Sequence, residues 1–121
     1  MTEEDVFAFV GTSLHSVWSV ELALLLHRQR DRSWKADELI RELRGSQVVV
    51  AEALRNLRSV GLVSQNDGGA SRYDPATEHL DAIIGELQQI YAVKPAAVVK
   101  AVVASPNRSL TIFSDAFKIS D

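Results

Sequence analysis

Nine of the thirteen lysines and arginines in this chain fall in one stretch: Arg28, Arg30, Arg32, Lys35, Arg41, Arg44, Arg55, Arg58 and Arg72. Six acids stand against them, so residues 28–72 carry +3, whereas residues 1–27 carry −4 and residues 73–121 carry −2. Guanidinium and ammonium groups gathered in this way can pair with phosphates. Exposed charges more than about 8 Å apart are largely screened in physiological salt, so their distribution matters more than the net charge of −3 or the pI of 5.6. That acidic total counts against a generic nucleic-acid binder, and a set of ordinary solvated side chains would give the same uneven run.

Other chemistry finds little to work with. His15, His27 and His79 are scattered without metal-ligand spacing, and there is no cysteine, which removes disulfides, thiolate zinc sites and cysteine nucleophiles together. No serine or aspartate is placed as a nucleophile with its base, and Gly68-Gly69 reads as a hairpin tip rather than a phosphate loop. The expectation is no enzyme, no cofactor and no metal. Glu21 falls inside an apolar arc, where a Trp indole or backbone N–H groups of the next helix are its expected partners; a role in sensing a partner is the alternative.

The elements that must carry the basic stretch follow from periodicity and punctuation. Leu14, Val17, Trp18, Leu22 and Leu25 recur at helical spacing and predict a helix over 14–28. Residues 30–33 form a polar break, and Trp34 fits a strand of one or two residues. A short helix over 36–43 follows, striped by Leu39, Ile40 and Leu43. Gly45 turns the chain and Ser46 caps a helix over 47–59, whose Val50, Leu54 and Leu57 face inward. Gly61, tolerant of positive φ, ends it. Two extended runs, 62–65 and 71–73, flank Asn66-Asp67-Gly68-Gly69, a strong hairpin signal. Pro75 precedes a helix over 76–92, a valine-rich helix is expected over 96–104, and Leu110, Phe113 and Phe117 mark a last amphipathic helix.

The string ADELIRELRGSQVVVAEALRNLRSVGLV, from Ala36 to Val63, resembles the winged helix-turn-helix of bacterial transcription regulators of the MarR, ArsR and PadR kind. The likeness rests on the helix ELIREL, the small-polar turn at Gly45-Ser46, the helix that follows and the Gly-containing hairpin. Its most specific element is Leu57-x-x-x-Gly61-Leu62-Val63, which joins the second helix to the first strand. This resemblance implies a mainly α fold with a small β-hairpin wing, a winged helix-turn-helix followed by C-terminal helices. Residues 1–75 would form the winged-helix domain with its N-terminal helix, and residues 76–121 a helical extension within one compact unit.

It also implies a DNA-binding transcription regulator, with helix 47–59 in the major groove of double-stranded DNA and the wing, 62–75, on the backbone. Ser46, Gln47, Val48, Val49, Ala51, Glu52 and Arg55 are then the outward positions, with Lys35, Arg44 and Arg72 reaching phosphates. Here the chain departs from the family pattern, in which such positions tend to be Ser, Thr, Gln, Asn and Arg. Valines can meet thymine methyls and Glu52 can accept from cytosine N4, but the same trio suits a protein surface. A protein-docking module, binding a sigma factor or another regulator without DNA, is the alternative. The lack of Cys and His clusters speaks against the metal-sensing ArsR branch.

A single winged helix reads few base pairs, so a homodimer is expected, through Leu80, Ile83, Ile84, Leu87, Ile90 and Tyr91, with Trp18 and Phe7 or Phe9 contributing. The same stripe could instead pack back on the helix at 14–28 and complete the core of a monomer. The acidic start and the absence of cysteine fit a cytoplasmic protein, and the run Leu22 to Leu26 is far too short to cross a bilayer.

Overall fold

The computed structural model describes residues 1–104; the helix expected around Leu110, Phe113 and Phe117 lies outside the described residues. The chain is mainly helical with one two-stranded antiparallel hairpin, in the order α1 (Glu3–Ser13), α2 (Val17–Arg28), α3 (Ala36–Leu43), α4 (Gln47–Val60), β1 (Val63–Gln65), β2 (Ser71–Tyr73), α5 (Glu78–Val93), α6 (Pro95–Val103). Among the described residues no single helix is long and apolar enough to cross a membrane.

The helix expected over 14–28 begins later, and another precedes it. Thr2 opens α1 with a reciprocal cap: its hydroxyl accepts the Asp5 N–H at 3.3 Å while the Asp5 carboxylate accepts the Thr2 N–H at 2.8 Å. Glu3, Glu4 and Asp5 then sit in the first turn, where negative charge suits the positive end of the helix dipole. Leu14 is fully buried but extended, and Ser16 starts α2 by accepting the Ser19 N–H at 3.1 Å. The bend between α1 and α2 is fastened from a distance. Asn56, in the middle of α4, accepts the His15 N–H at 3.0 Å and donates to the Ser13 carbonyl at 2.9 Å.

α2 is the central helix. Ser19, Val20 and the whole run Leu22, Ala23, Leu24, Leu25, Leu26 are buried, more than one face's worth, as befits a helix covered on several sides. α4, α5 and β2 pack against it. Val50, Leu54 and Leu57 face inward as their spacing implies. Gly61 closes α4 at φ 93°: its N–H reaches the Arg58 carbonyl at 3.2 Å and the Leu62 N–H reaches that of Leu57 at 3.0 Å. This doubled closure turns the chain at once into the hairpin.

β1 and β2 pair with Val63 opposite Tyr73, and Asn66 and Ala70 hold the tip through 2.9 Å bonds. Trp34 adds one residue to the sheet, exchanging two 2.7 Å backbone bonds with Ser71. The helix expected from residue 76 starts two residues later, because the Ala76 N–H is engaged by the Gly61 carbonyl at 2.7 Å and Thr77 supplies the cap at 3.1 Å to the Leu80 N–H. The valine-rich segment is helical, with Pro95 in its first turn.

The stripe on α5 is turned into the chain's own core. Ile83, Ile84 and Leu87 are buried and Leu80, Ile90 and Tyr91 half-buried, with α1, α2 and α6 against them. Trp18, Phe7 and Phe9 are half-buried against the same core. Of the two uses open to this stripe, completing the core of one chain is what it does here.

Asn56→Ala removes both bonds to the α1–α2 bend and leaves a backbone donor and acceptor without partners, which costs about 2 kcal/mol. The expected result is a lower urea midpoint with an unchanged m-value; an unchanged midpoint means that the bend holds without Asn56.

Candidate functional site

α3 and α4 are joined by a three-residue turn. Arg44 takes the left-handed conformation at φ 56°, Gly45 follows, and Ser46 caps α4 by accepting the Val49 N–H at 3.2 Å. Gly45 is crowded: a Cβ there would stand 3.1 Å from the Trp18 ring and 3.2 Å from a Val49 methyl. The turn is thus seated on α2 through Trp18.

The residues singled out from sequence divide accordingly. Ser46, Gln47, Val48, Ala51, Glu52 and Arg55 are exposed along the outer side of α4, with the Val48 residue 65% exposed. Val49 does not face outward; it is half-buried beside Gly45 and Trp18. Lys35 lies exposed at the start of α3, Arg44 at its end, and Arg72 points outward from β2 between the buried Ser71 and Tyr73. Arg58 joins this set. It is exposed one turn beyond Arg55, and that three-residue spacing on the helix is the signal in the sequence that marks it.

Ion pairing separates the cations into two groups. Arg30 is held by Asp81 at 2.7 Å, Arg32 by Glu38 at 2.8 Å, Arg41 by Asp37 at 3.6 Å, and Lys94 by Glu3 at 2.7 Å. Among the described residues Lys35, Arg44, Arg55, Arg58 and Arg72 make no ion pair, nor do Arg28 and Lys100. The basic stretch therefore contains cations engaged in the fold and cations left to solvent, the latter mostly on α4, β2 and the two ends of α3.

The hairpin is anchored by a second cluster. Asp81 of α5 accepts from the Tyr73 hydroxyl and from Arg30, both at 2.7 Å. The Arg30 guanidinium lies 5.0 Å above the Tyr73 ring, and His27 meets the same ring edge-on at 5.3 Å while bonding Gln88 at 2.7 Å. Hydrogen bonds from Tyr73 and then Arg30 hold the Asp81 carboxyl below the usual carboxylate range, and burial, then the bond to Asp81, pushes the Tyr73 phenol up. At the other edge, Arg32 stacks 3.5 Å over Trp34, and Glu38 accepts the Lys35 N–H at 2.8 Å. The partner of Glu21 is neither an indole nor a backbone N–H. It is the Tyr91 hydroxyl at 2.7 Å, whose phenol burial and this carboxylate push up to about 12.

Among the described residues no three His, Asp or Glu side chains converge to hold a metal ion. The chain matches no family model, no curated protein and no solved structure.

Because the folded pKa of Asp81 is depressed, its contribution to stability is present above the unfolded value of about 3.9 and is lost as pH falls through the folded value. Asp81→Asn should lower the urea midpoint at neutral pH and flatten its fall on the acid side. A variant whose midpoint tracks the parent at a constant offset down to about pH 2 would show that this carboxylate does not govern acid stability.

Proposed function

We propose that the chain is a DNA-binding transcription regulator in which α3, the turn at 44–46 and α4 act as a helix-turn-helix and β1–β2 as its wing, making a winged helix. One observation carries this reading: the cations that make no ion pair gather on the elements such a protein presents to DNA, while Arg30 and Arg32 nearby are paired within the fold at 2.7 and 2.8 Å. Further support comes from the packing. α4 rests on α2 and α3, so its outer side stands clear of the body, as entry into a major groove about 12 Å wide requires.

Gln47, Val48, Ala51 and Glu52 are then the base-reading positions, with Val48 suited to a thymine methyl and Glu52 to cytosine N4. Arg55 and Arg58 reach base edges or phosphates, and Lys35, Arg44 and Arg72 reach phosphates on either side. Addressing two half-sites calls for a second copy; of the α5 stripe, Ile83, Ile84 and Leu87 are buried within the chain, which leaves Leu80, Ile90 and Tyr91 partly open to such a contact. The exposed Val48 beside Glu52 favours the second reading, a winged helix that docks on a protein.

The deciding experiment is a fluorescence anisotropy titration against random duplex and against the DNA upstream of the chain's own reading frame, at two salt concentrations. The expected result is salt-sensitive binding, tighter for the upstream sequence. Arg72→Ala, at a phosphate position, should weaken binding to all sequences alike and reduce the salt slope by about 1. Arg55→Ala should also weaken it. Retained affinity in both variants sinks the groove-and-wing geometry. No binding near 100 mM salt favours the protein-docking reading, under which Val48→Asp abolishes association with little dependence on salt.

A further inference from the structure

Away from the outer side of α4, a cleft of about 560 Å³ opens between the flank of α2 and the C-terminal end of α3, a volume typical of small-molecule sites. Trp18 and Leu25 of α2 and Leu43 of α3 give it apolar walls, and Glu21, Glu42 and Arg28 give it charge. Glu21 is half-buried, and the Tyr91 hydroxyl is the one hydrogen-bond donor that engages it among the described residues. A carboxylate that accepts from one neutral donor and opens into a partly apolar cleft keeps acceptor capacity for a cation brought to it. Glu42 makes no ion pair and adds a second negative charge. Arg28 sits exposed in the last turn of α2, about 10 Å along the helix axis from Glu21, so it leaves the Trp18 end of the cleft negative. An indole face beside carboxylates is a combination that holds organic cations.

We propose that this cleft binds a small amphipathic cation, an aromatic amine or quaternary ammonium, with its charge at Glu21 and Glu42 and its apolar body against Trp18, Leu25 and Leu43. The Trp18 ring also lies against Gly45 in the turn before α4, so an occupant that displaces the ring moves the turn that sets α4. That linkage rests on the DNA reading above; the binding itself does not.

The test is equilibrium dialysis of the full chain against 2-phenylethylamine, benzyltrimethylammonium, 2-phenylethanol and phenylacetate, followed by NMR of the two tryptophan indoles. The two cations should bind saturably and shift the Trp18 indole, identified by its loss in Trp18→Phe, while the Trp34 indole stays in place. The alcohol and the acid should bind at least about tenfold more weakly. Glu21→Gln keeps an acceptor for Tyr91 and so keeps the fold, which its urea midpoint verifies, but it should weaken the cations about tenfold; Glu42→Gln should weaken them less. Equal binding of the alcohol and the amine, or undiminished binding by Glu21→Gln, overturns the proposal, and so does tighter binding of phenylacetate. Saturating 2-phenylethylamine should then change the affinity for duplex DNA. Cation binding without that change overturns the linkage alone. Failure of the free protein to bind DNA overturns the regulator reading and leaves the cation site standing.

Discussion

The burial of α2 is the constraint on which the rest of the chain depends. From Ser19 to Leu26 every residue except Glu21 is removed from solvent, so the helix cannot lie at a surface and must be covered from several directions. α4 takes one side, α5 another, and β2 closes a third. Two polar consequences follow. The one acid on this helix that reaches the packed region needs a donor, and Tyr91 provides it. The chain entering α2 also has backbone groups that no helix satisfies, and Asn56 completes them from across the molecule. Both are hydrogen bonds between residues more than 40 positions apart, and both exist because an apolar helix was placed in the middle.

The same constraint explains which parts of the fold were legible in the sequence. α3, its turn, α4 and the hairpin were readable nearly residue by residue because their signals are local: Ser46 as a cap, Gly61 at positive φ, the Asn-Asp-Gly-Gly tip. α1 is less legible, although Thr2 and Asp5 carry a cap at the right spacing, because only Val6 and Val10 are buried along it and they make too short a stripe. Leu14 shares the apolar spacing of α2, yet it is buried in extended form; periodicity registers burial and cannot tell a helix from the bend before it. The stripe on α5 was legible as a stripe. Whether it met another chain or its own α2 depended on tertiary packing, which no local pattern encodes.

The candidate site was legible in the same uneven way. Exposure of Gln47, Val48, Ala51, Glu52 and Arg55 follows from helical phase once Val50, Leu54 and Leu57 are placed inside. Val49 lies on the flank of that phase, in the helix's first turn, where Gly45 packs beside its methyl. The partners of Arg30 and Arg32 could not be read at all. Asp81 is 51 residues from Arg30, and only the folded chain brings it within reach.

Those pairings alter what the charge of the chain means. Counted along the sequence, residues 28–72 hold nine bases; Arg30 and Arg32 are paired with neighbours that the fold supplies, and Arg41 lies 3.6 Å from Asp37 on its own helix. What remains for a polyanion is a small set led by Lys35, Arg44, Arg55, Arg58 and Arg72, opposed by the exposed Glu52 and Asp67. On the DNA reading, each phosphate neutralised contributes about 0.9 to the salt slope, so so few contacts from one copy give modest affinity at physiological salt. Discrimination must then come from base contacts at α4 and from a second copy on an adjoining half-site.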